Sequence, residues 1–244
     1  MLGVALAGWM GLPRRAGAAV ASTDAALPAV LAPPSARLRY SVHSNRFPYR
    51  LGATLHWSNL KSRYVAEFEL GALGLTRRQR SEGRITPGGL QPERFSDDAQ
   101  PDQPVRFDAE QGRIHFKPPQ PDAVWVPEAQ DRLSVLLQLG FLQAQLRAPS
   151  PGLTLGIPTA GPHMLELWQF EFDGEQTLDL PSGRVPALAW SRLARAPGDQ
   201  RLQVWLAPQL DDLPARLLIR EAQGDAVDQR LIERQAVPAD KVLK

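Results

Sequence analysis

From Arg37 to Leu70 apolar and polar residues alternate with a period of two, a pattern that presents one apolar face only when the chain is extended. Leu38, Tyr40 and Val42 share one face, and Arg37, Arg39, Ser41 and His43 share the other. Leu51, Ala53, Leu55 and Trp57 repeat the pattern against Thr54, His56 and Ser58, and Tyr64, Ala66, Phe68 and Leu70 repeat it against Arg63, Glu67 and Glu69. Neighbouring side chains of a strand point to opposite faces, so each segment reads as a strand with one dry and one wet side.

The rest of the chain continues in the same manner. Leu75 to Ile85 reads as a more polar strand, and a turn at Pro87-Gly88-Gly89 leads to a partner at Leu90 to Ser96. Pro92 lacks the N–H that a ladder needs, which places it on an edge or at a bulge. Residues 97–104 read as an acidic, proline-bearing loop, and Val105 to Phe107 with Arg113 to Phe116 as a short hairpin around Gln111-Gly112. The one convincing helix follows. Asp131 is its candidate cap, Leu133, Leu136, Leu137 and Gly140 lie along one side, Phe141 to Leu146 continue it, and Pro149 and Pro151 lie beyond its end. Strands are expected again at Met164 to Phe172, Gln176 to Leu180, Arg184 to Leu193 and Leu202 to Leu206, with a closing hairpin of Ala215 to Glu221 and Val227 to Glu233. Many short strands and a single helix predict a mostly β fold. We expect a single antiparallel sheet, curved into a half-barrel or open barrel, with one main α-helix against its concave face.

The N-terminus predicts export. Leu2 to Leu12 is apolar but too short to span a bilayer, and Ala19-Val20-Ala21 fits the small-x-small pattern that precedes a cleavage site. No basic residue precedes the apolar stretch and Arg14-Arg15 follow it, which departs from the usual leader. The expected organisation is a leader-like segment over 1–21, an Ala/Pro/Ser-rich linker over 22–35, one β-rich domain over 36–236 and a tail over 237–244. No later run is long enough to be a transmembrane helix.

The search for chemistry returns little. Cysteine is absent, which excludes disulfides, thiolate metal sites and a Cys nucleophile. A net charge of +2, from 28 basic and 26 acidic residues that are interleaved along the chain, argues against nucleic-acid binding. There is no nucleophile elbow, and Gly88-Gly89 joins two strands instead of opening a helix, so it offers no phosphate cradle. His43 and His56 could approach each other on adjacent strands, but two solvated histidines are the simpler reading. The acids Asp97, Asp98, Asp102 and Asp108 match no calcium-loop spacing, and Arg78, Arg80 and Arg84 read first as a solvated strand face. No catalytic residue, metal or cofactor is therefore expected. The remaining candidates are aromatic: Tyr40, Trp57, Tyr64, Phe68, Trp168, Phe170 and Trp205 all fall on strands, where a curled sheet could use them to line an apolar cavity or simply to fill its core.

Several phrases, taken in order, are similar to a bacterial exported family known as domain of unknown function 3108. They are Tyr40 with Trp57 and Tyr64, Ser81-Glu82-Gly83, Gly88 to Phe95, Asp131-Arg132-Leu133-Ser134, Val204-Trp205-Leu206-Ala207-Pro208, Leu213-Pro214-Ala215-Arg216 and Gly224-Asp225. The resemblance runs from about residue 36 to 234 and implies a periplasmic or surface location without implying an activity. The family also resembles lipoprotein-carrier proteins, incomplete barrels that hold acyl chains behind plugging helices. This chain has one clear helix where those carriers have more. The leading expectation is a non-catalytic binding or carrier domain of the cell envelope, with an acyl chain as ligand. An envelope scaffold that binds a protein through an exposed edge at Gln91 to Ser96 is the first alternative. A hydrolase whose residues meet only in the fold is the second.

Overall fold

The computed structural model describes residues 32–46, 50–72, 75–101, 103–146 and 148–238. The leader-like segment and all but the last residues of the linker lie outside that set, as do residues 239–244. The first arm of the sheet comprises β1 (Ala36–Ser44), β2 (Leu51–Asn59), β3 (Arg63–Ala72), β4 (Leu75–Thr86), β5 (Gly89–Asp97), β6 (Val105–Asp108), β7 (Arg113–His115) and β8 (Ala123–Val124). After β9 (Gln130–Asp131) comes the helix α1 (Ser134–Gln143). The second arm comprises β10 (Thr154–Ala160), β11 (Leu165–Leu180), β12 (Gly183–Arg192), β13 (Arg201–Ala207), β14 (Leu213–Arg220) and β15 (Ala226–Ala236).

All of these strands belong to one sheet, ordered β8-β7-β6-β5-β4-β3-β2-β1-β15-β14-β13-β12-β11-β10-β9. Two meanders thus run outward from a central pairing of β1 with β15, and the ladder is antiparallel except where β9 lies parallel to β10. Both sheet ends come from one short stretch of chain, since β8 closes one arm and β9 opens the other. That connectivity bends the sheet round on itself without closing it. Bulges supply the curvature, because an extra residue on one strand raises the local twist. They fall between Arg39 and Tyr40, Glu82 and Gly83, Phe172 and Gly174, and Trp205 and Leu206. Pro92 sits at the second of these, opposite Gly83. A side chain on Gly83 would run into the carbonyl of Gln91, so the close approach requires glycine there.

Four strand assignments differ from the sequence reading, two of them the short strands β8 and β9, which were not expected. Gln176 to Leu180 is the far half of β11, which passes through the bulge at Asp173 as one strand. β10 was not legible because Gly156 and Pro158 interrupt its pattern.

The helix lies inside the curve and divides the core. Leu133 and Leu137 pack with Leu38, Leu55, Phe95 and Leu213, whereas Val135 and Leu139 pack with Ile157, Phe170, Trp190 and Leu206. A helix apolar nearly all round belongs in an interior, and this one is pinned there at both ends. At its start Asp131 Oδ1 accepts from the N–H groups of Leu133 and Ser134, both at 2.8 Å, and Ser134 Oγ accepts from the Asp131 N–H at 2.9 Å. At its end Gln143 donates to Asp212 at 2.5 Å and accepts from the Trp190 indole at 2.8 Å.

Side chains also bridge the gap between β5 and β9. Gln138 accepts from the Leu90 N–H at 2.8 Å, and Gln130 donates to the Leu90 carbonyl at 2.6 Å. β6 takes Arg94 and Phe95 of the same strand. The expected exposed edge at Gln91 to Ser96 is therefore corrected in part: β6 pairs with Arg94 and Phe95 of that segment, and the Leu90 backbone just before it is taken by Gln130 and Gln138.

Candidate functional site

One end of the half-barrel is not filled by its core. There a cavity of about 520 Å³ lies between the sheet and the first turns of α1. The volume is within the range usual for small-molecule sites, about 300–1,000 Å³. The strands reach it at matching ends: β3, β12 and β14 finish there, and β4, β11, β13 and β15 start there. Leu55, Phe68 and Leu70 from the first arm and Leu202, Leu217 and Ile219 from the second form apolar walls, and Leu133, just before the helix, with Leu136 and Leu137 of the helix completes them. Tyr40 adds its ring, because its hydroxyl already donates to the Pro214 carbonyl at 2.8 Å. Burial pushes that phenol far above its ordinary value, so it remains neutral.

The rim is polar. Arg77, Arg132, Arg192, Arg195, Glu166, Asp199 and Glu221 all contribute to it. Arg195 holds Glu166 at 2.6 Å, and its backbone N–H reaches Asp199 at 2.9 Å. Arg77 is bound to Asp97 at 2.5 Å. Arg192 lies with its guanidinium 4.3 Å from the centre of the Trp168 ring.

Of the aromatic candidates, Tyr40, Phe68 and Trp168 line this cavity. Trp57, Tyr64 and Phe170 do not; they sit in packed core. Trp57 and Tyr64 stack at 5.6 Å toward the opposite end of the half-barrel, where the Trp57 indole donates to the Pro33 carbonyl at 2.9 Å. Tyr64 meets Ser81 at 2.9 Å, and Ser81 donates to Asp131 at 2.5 Å. Phe170 is fully buried beside Trp168, and Trp205 is held in the core by Gln176 with Arg216 stacked over it. Alternation reveals that a residue faces inward but not whether its level of the barrel is filled, so the sequence could not separate the two groups. Arg77 was legible only as part of a basic strand and Arg132 only as part of a family phrase, and Arg192 and Arg195 escaped sequence reasoning altogether. The available signal was Arg192, which shares a strand face with the buried Trp190.

The other candidates resolve simply. His56 pairs with Arg37, whereas His43 lies beyond the Val42–Leu51 pair at the far end of β1, so the two histidines do not meet. Among the described residues no group of three His, Cys, Asp or Glu could hold a metal. The basic strand β4 is neutralised by its neighbours: Arg78 binds Glu69 at 2.6 Å, Arg84 binds Glu93 at 2.8 Å, and Arg80 binds Glu67 and Glu82. Asp97 is taken by Arg77 and Asp108 by Arg106. The strongest perturbation of an acid is at Asp131, whose carboxyl burial pushes up to about 6 against the hydrogen bonds from Ser81, Ser134 and Leu133. No described helix is long and apolar enough to cross a membrane.

Comparison with known proteins agrees with this architecture. The family model described as "Protein of unknown function (DUF3108)" matches residues 39–229. The chain belongs to that family. The DUF3108 domain here has the fold of a solved β-barrel-like protein of domain of unknown function DUF1849 from Brucella abortus. The TM-score is 0.54 at 10% identity, over 84% of this chain and 99% of that one. Weaker likenesses include a Bacteroides fragilis protein with a YmcC-like fold, with a TM-score of 0.43 at 13% identity, over 85% of this chain and 99% of that one. The MucA/MucB complex of Pseudomonas aeruginosa matches with a TM-score of 0.39 at 12% identity, over 86% of this chain and 55% of that one. No curated protein matches the sequence.

Proposed function

We propose that this DUF3108 domain is a non-catalytic binding or carrier domain of the cell envelope, and that it holds one apolar chain in the cavity at the open end of its half-barrel. The observation that carries the reading is that cavity, about 520 Å³ walled by Leu55, Phe68, Leu70, Leu136, Leu137 and Leu217. A packed interior leaves few voids larger than a water molecule, so an apolar space of this size is a place for a ligand. The leader-like segment supports an exported location, and an acyl chain is the apolar ligand an envelope offers in quantity.

Native mass spectrometry of protein purified from its own envelope, followed by lipid extraction, tests the reading. A bound acyl species in stoichiometric amount is the expected result. A bare mass, together with no uptake of an added fluorescent fatty acid, overturns it.

A further inference from the structure

The rim of the cavity carries a cation, Arg192, that forms no ion pair among the described residues. Arg192 is 9% exposed. Its guanidinium has five N–H donors, and the acceptor it reaches among the described residues is the Gln200 carbonyl at 3.3 Å. Its Nε is buried without a partner. The two nearby carboxylates, Glu166 and Asp199, are engaged by Arg195. Burial holds the Arg192 guanidinium below its ordinary value, against the pull of Asp199 and Glu166, yet an arginine stays charged at any working pH. Arg132, on the turn that enters α1, stands on the same rim and forms no ion pair among the described residues. A desolvated charge with unfilled donors is costly unless something completes it, and a planar guanidinium fits a carboxylate or phosphate.

We infer that the site takes an amphiphile whose anionic head, a carboxylate or phosphate, binds Arg192 and Arg132 at the rim while its chain lies in the apolar cavity. This rests on the proposed chain-binding function and adds to it a polarity and an orientation. Trp168 holds Arg192 in place by stacking, so the head-group site is set before a ligand arrives.

The test uses a fluorescent polyene fatty acid, its methyl ester and a lysophosphatidate competitor, with the wild type and the variants Arg192→Gln and Arg132→Gln. The wild type should bind the acid about tenfold tighter than the ester. In Arg192→Gln that preference should disappear, and Arg132→Gln should reduce it in part. Arg132 is exposed, so its variant reports even if loss of the Arg192–Trp168 stack unfolds the protein. Displacement of the acid by lysophosphatidate more tightly than by the matching fatty acid assigns the head to phosphate; the reverse assigns it to carboxylate. Equal binding of acid and ester by all three proteins overturns the head-group inference and leaves chain binding intact. Failure of both probes to bind overturns chain binding itself.

Discussion

Replacing Asp131 by Asn removes a charge from the buried junction of β9 and α1 while keeping the acceptor oxygen that the Leu133 and Ser134 N–H groups use. The amide can donate to Ser81, which can turn its own hydrogen toward Tyr64, so the network survives. What changes is the dependence on pH. Desolvation lifts the Asp131 carboxyl from 3.8 to about 6 in the folded protein, more than the hydrogen bonds from Ser81, Ser134 and Leu133 pull it down. Between these two values the folded chain holds a proton that the unfolded chain has released. Stability from this group is therefore greatest below the unfolded value and declines as pH rises to the folded value. Two units correspond to about 3 kcal/mol. Urea unfolding of both proteins at about pH 3.5 and about pH 7.5 isolates the effect, because every other titrating group cancels in the difference. The stability of the wild type relative to Asp131→Asn should fall by about 2–3 kcal/mol across that interval. A difference that is flat, or that grows with pH, would refute the argument that burial dominates at this carboxyl. Asp131→Ala serves as the control. It strands two buried N–H groups at the helix start and should cost about 2–4 kcal/mol even at low pH.

Four further expectations follow from the same geometry. Asp228 behaves in the opposite sense: burial raises it, but hydrogen bonds from Arg216 and Arg230 outweigh burial and hold it below the usual carboxylate range. Asp228→Asn should cost about 1–2 kcal/mol at neutral pH, and the gap should close as acid carries the wild type down through its lowered value. Gly140→Ala should destabilise by about 1–3 kcal/mol in a denaturant titration, despite alanine's better helix propensity, because the new methyl would press on the Asp212 carbonyl; a raised midpoint would contradict that packing. Gln143→Leu should cost at least about 2 kcal/mol in the same titration, since it leaves the buried Trp190 indole without its acceptor. Leu136→Trp should fill the cavity and weaken uptake of a fluorescent fatty acid at least tenfold with little change in unfolding midpoint, because Leu136 is only half-buried and borders free space.

Much of the fold was legible because a half-buried strand writes its own pattern. The alternation of Leu38-Tyr40-Val42 and Leu51 to Trp57 assigned both strands and the face each buries. Pro92 announced the bulge, and Asp131 announced the helix start, though it caps from two residues before the N-cap position. Where alternation was broken by Gly156 and Pro158, a strand went unread. Tertiary structure alone decided the rest. Sequence order cannot state that β1 pairs with β15, that the helix is swallowed between two core clusters, or that side chains of Gln130 and Gln138 bridge the gap the sheet leaves open. It cannot tell a core aromatic from a lining one either: Trp57 and Phe68 obey one pattern, yet one is stacked at the filled end and the other borders the cavity. The rim shows the same limit. Arg192 and Arg195 lie three positions apart beyond any motif, and only the fold gives one its carboxylates and leaves the other with a tryptophan face. Periodicity is a property of one strand and is written locally; a cavity is what several distant strands fail to fill, and that exists only once they are assembled.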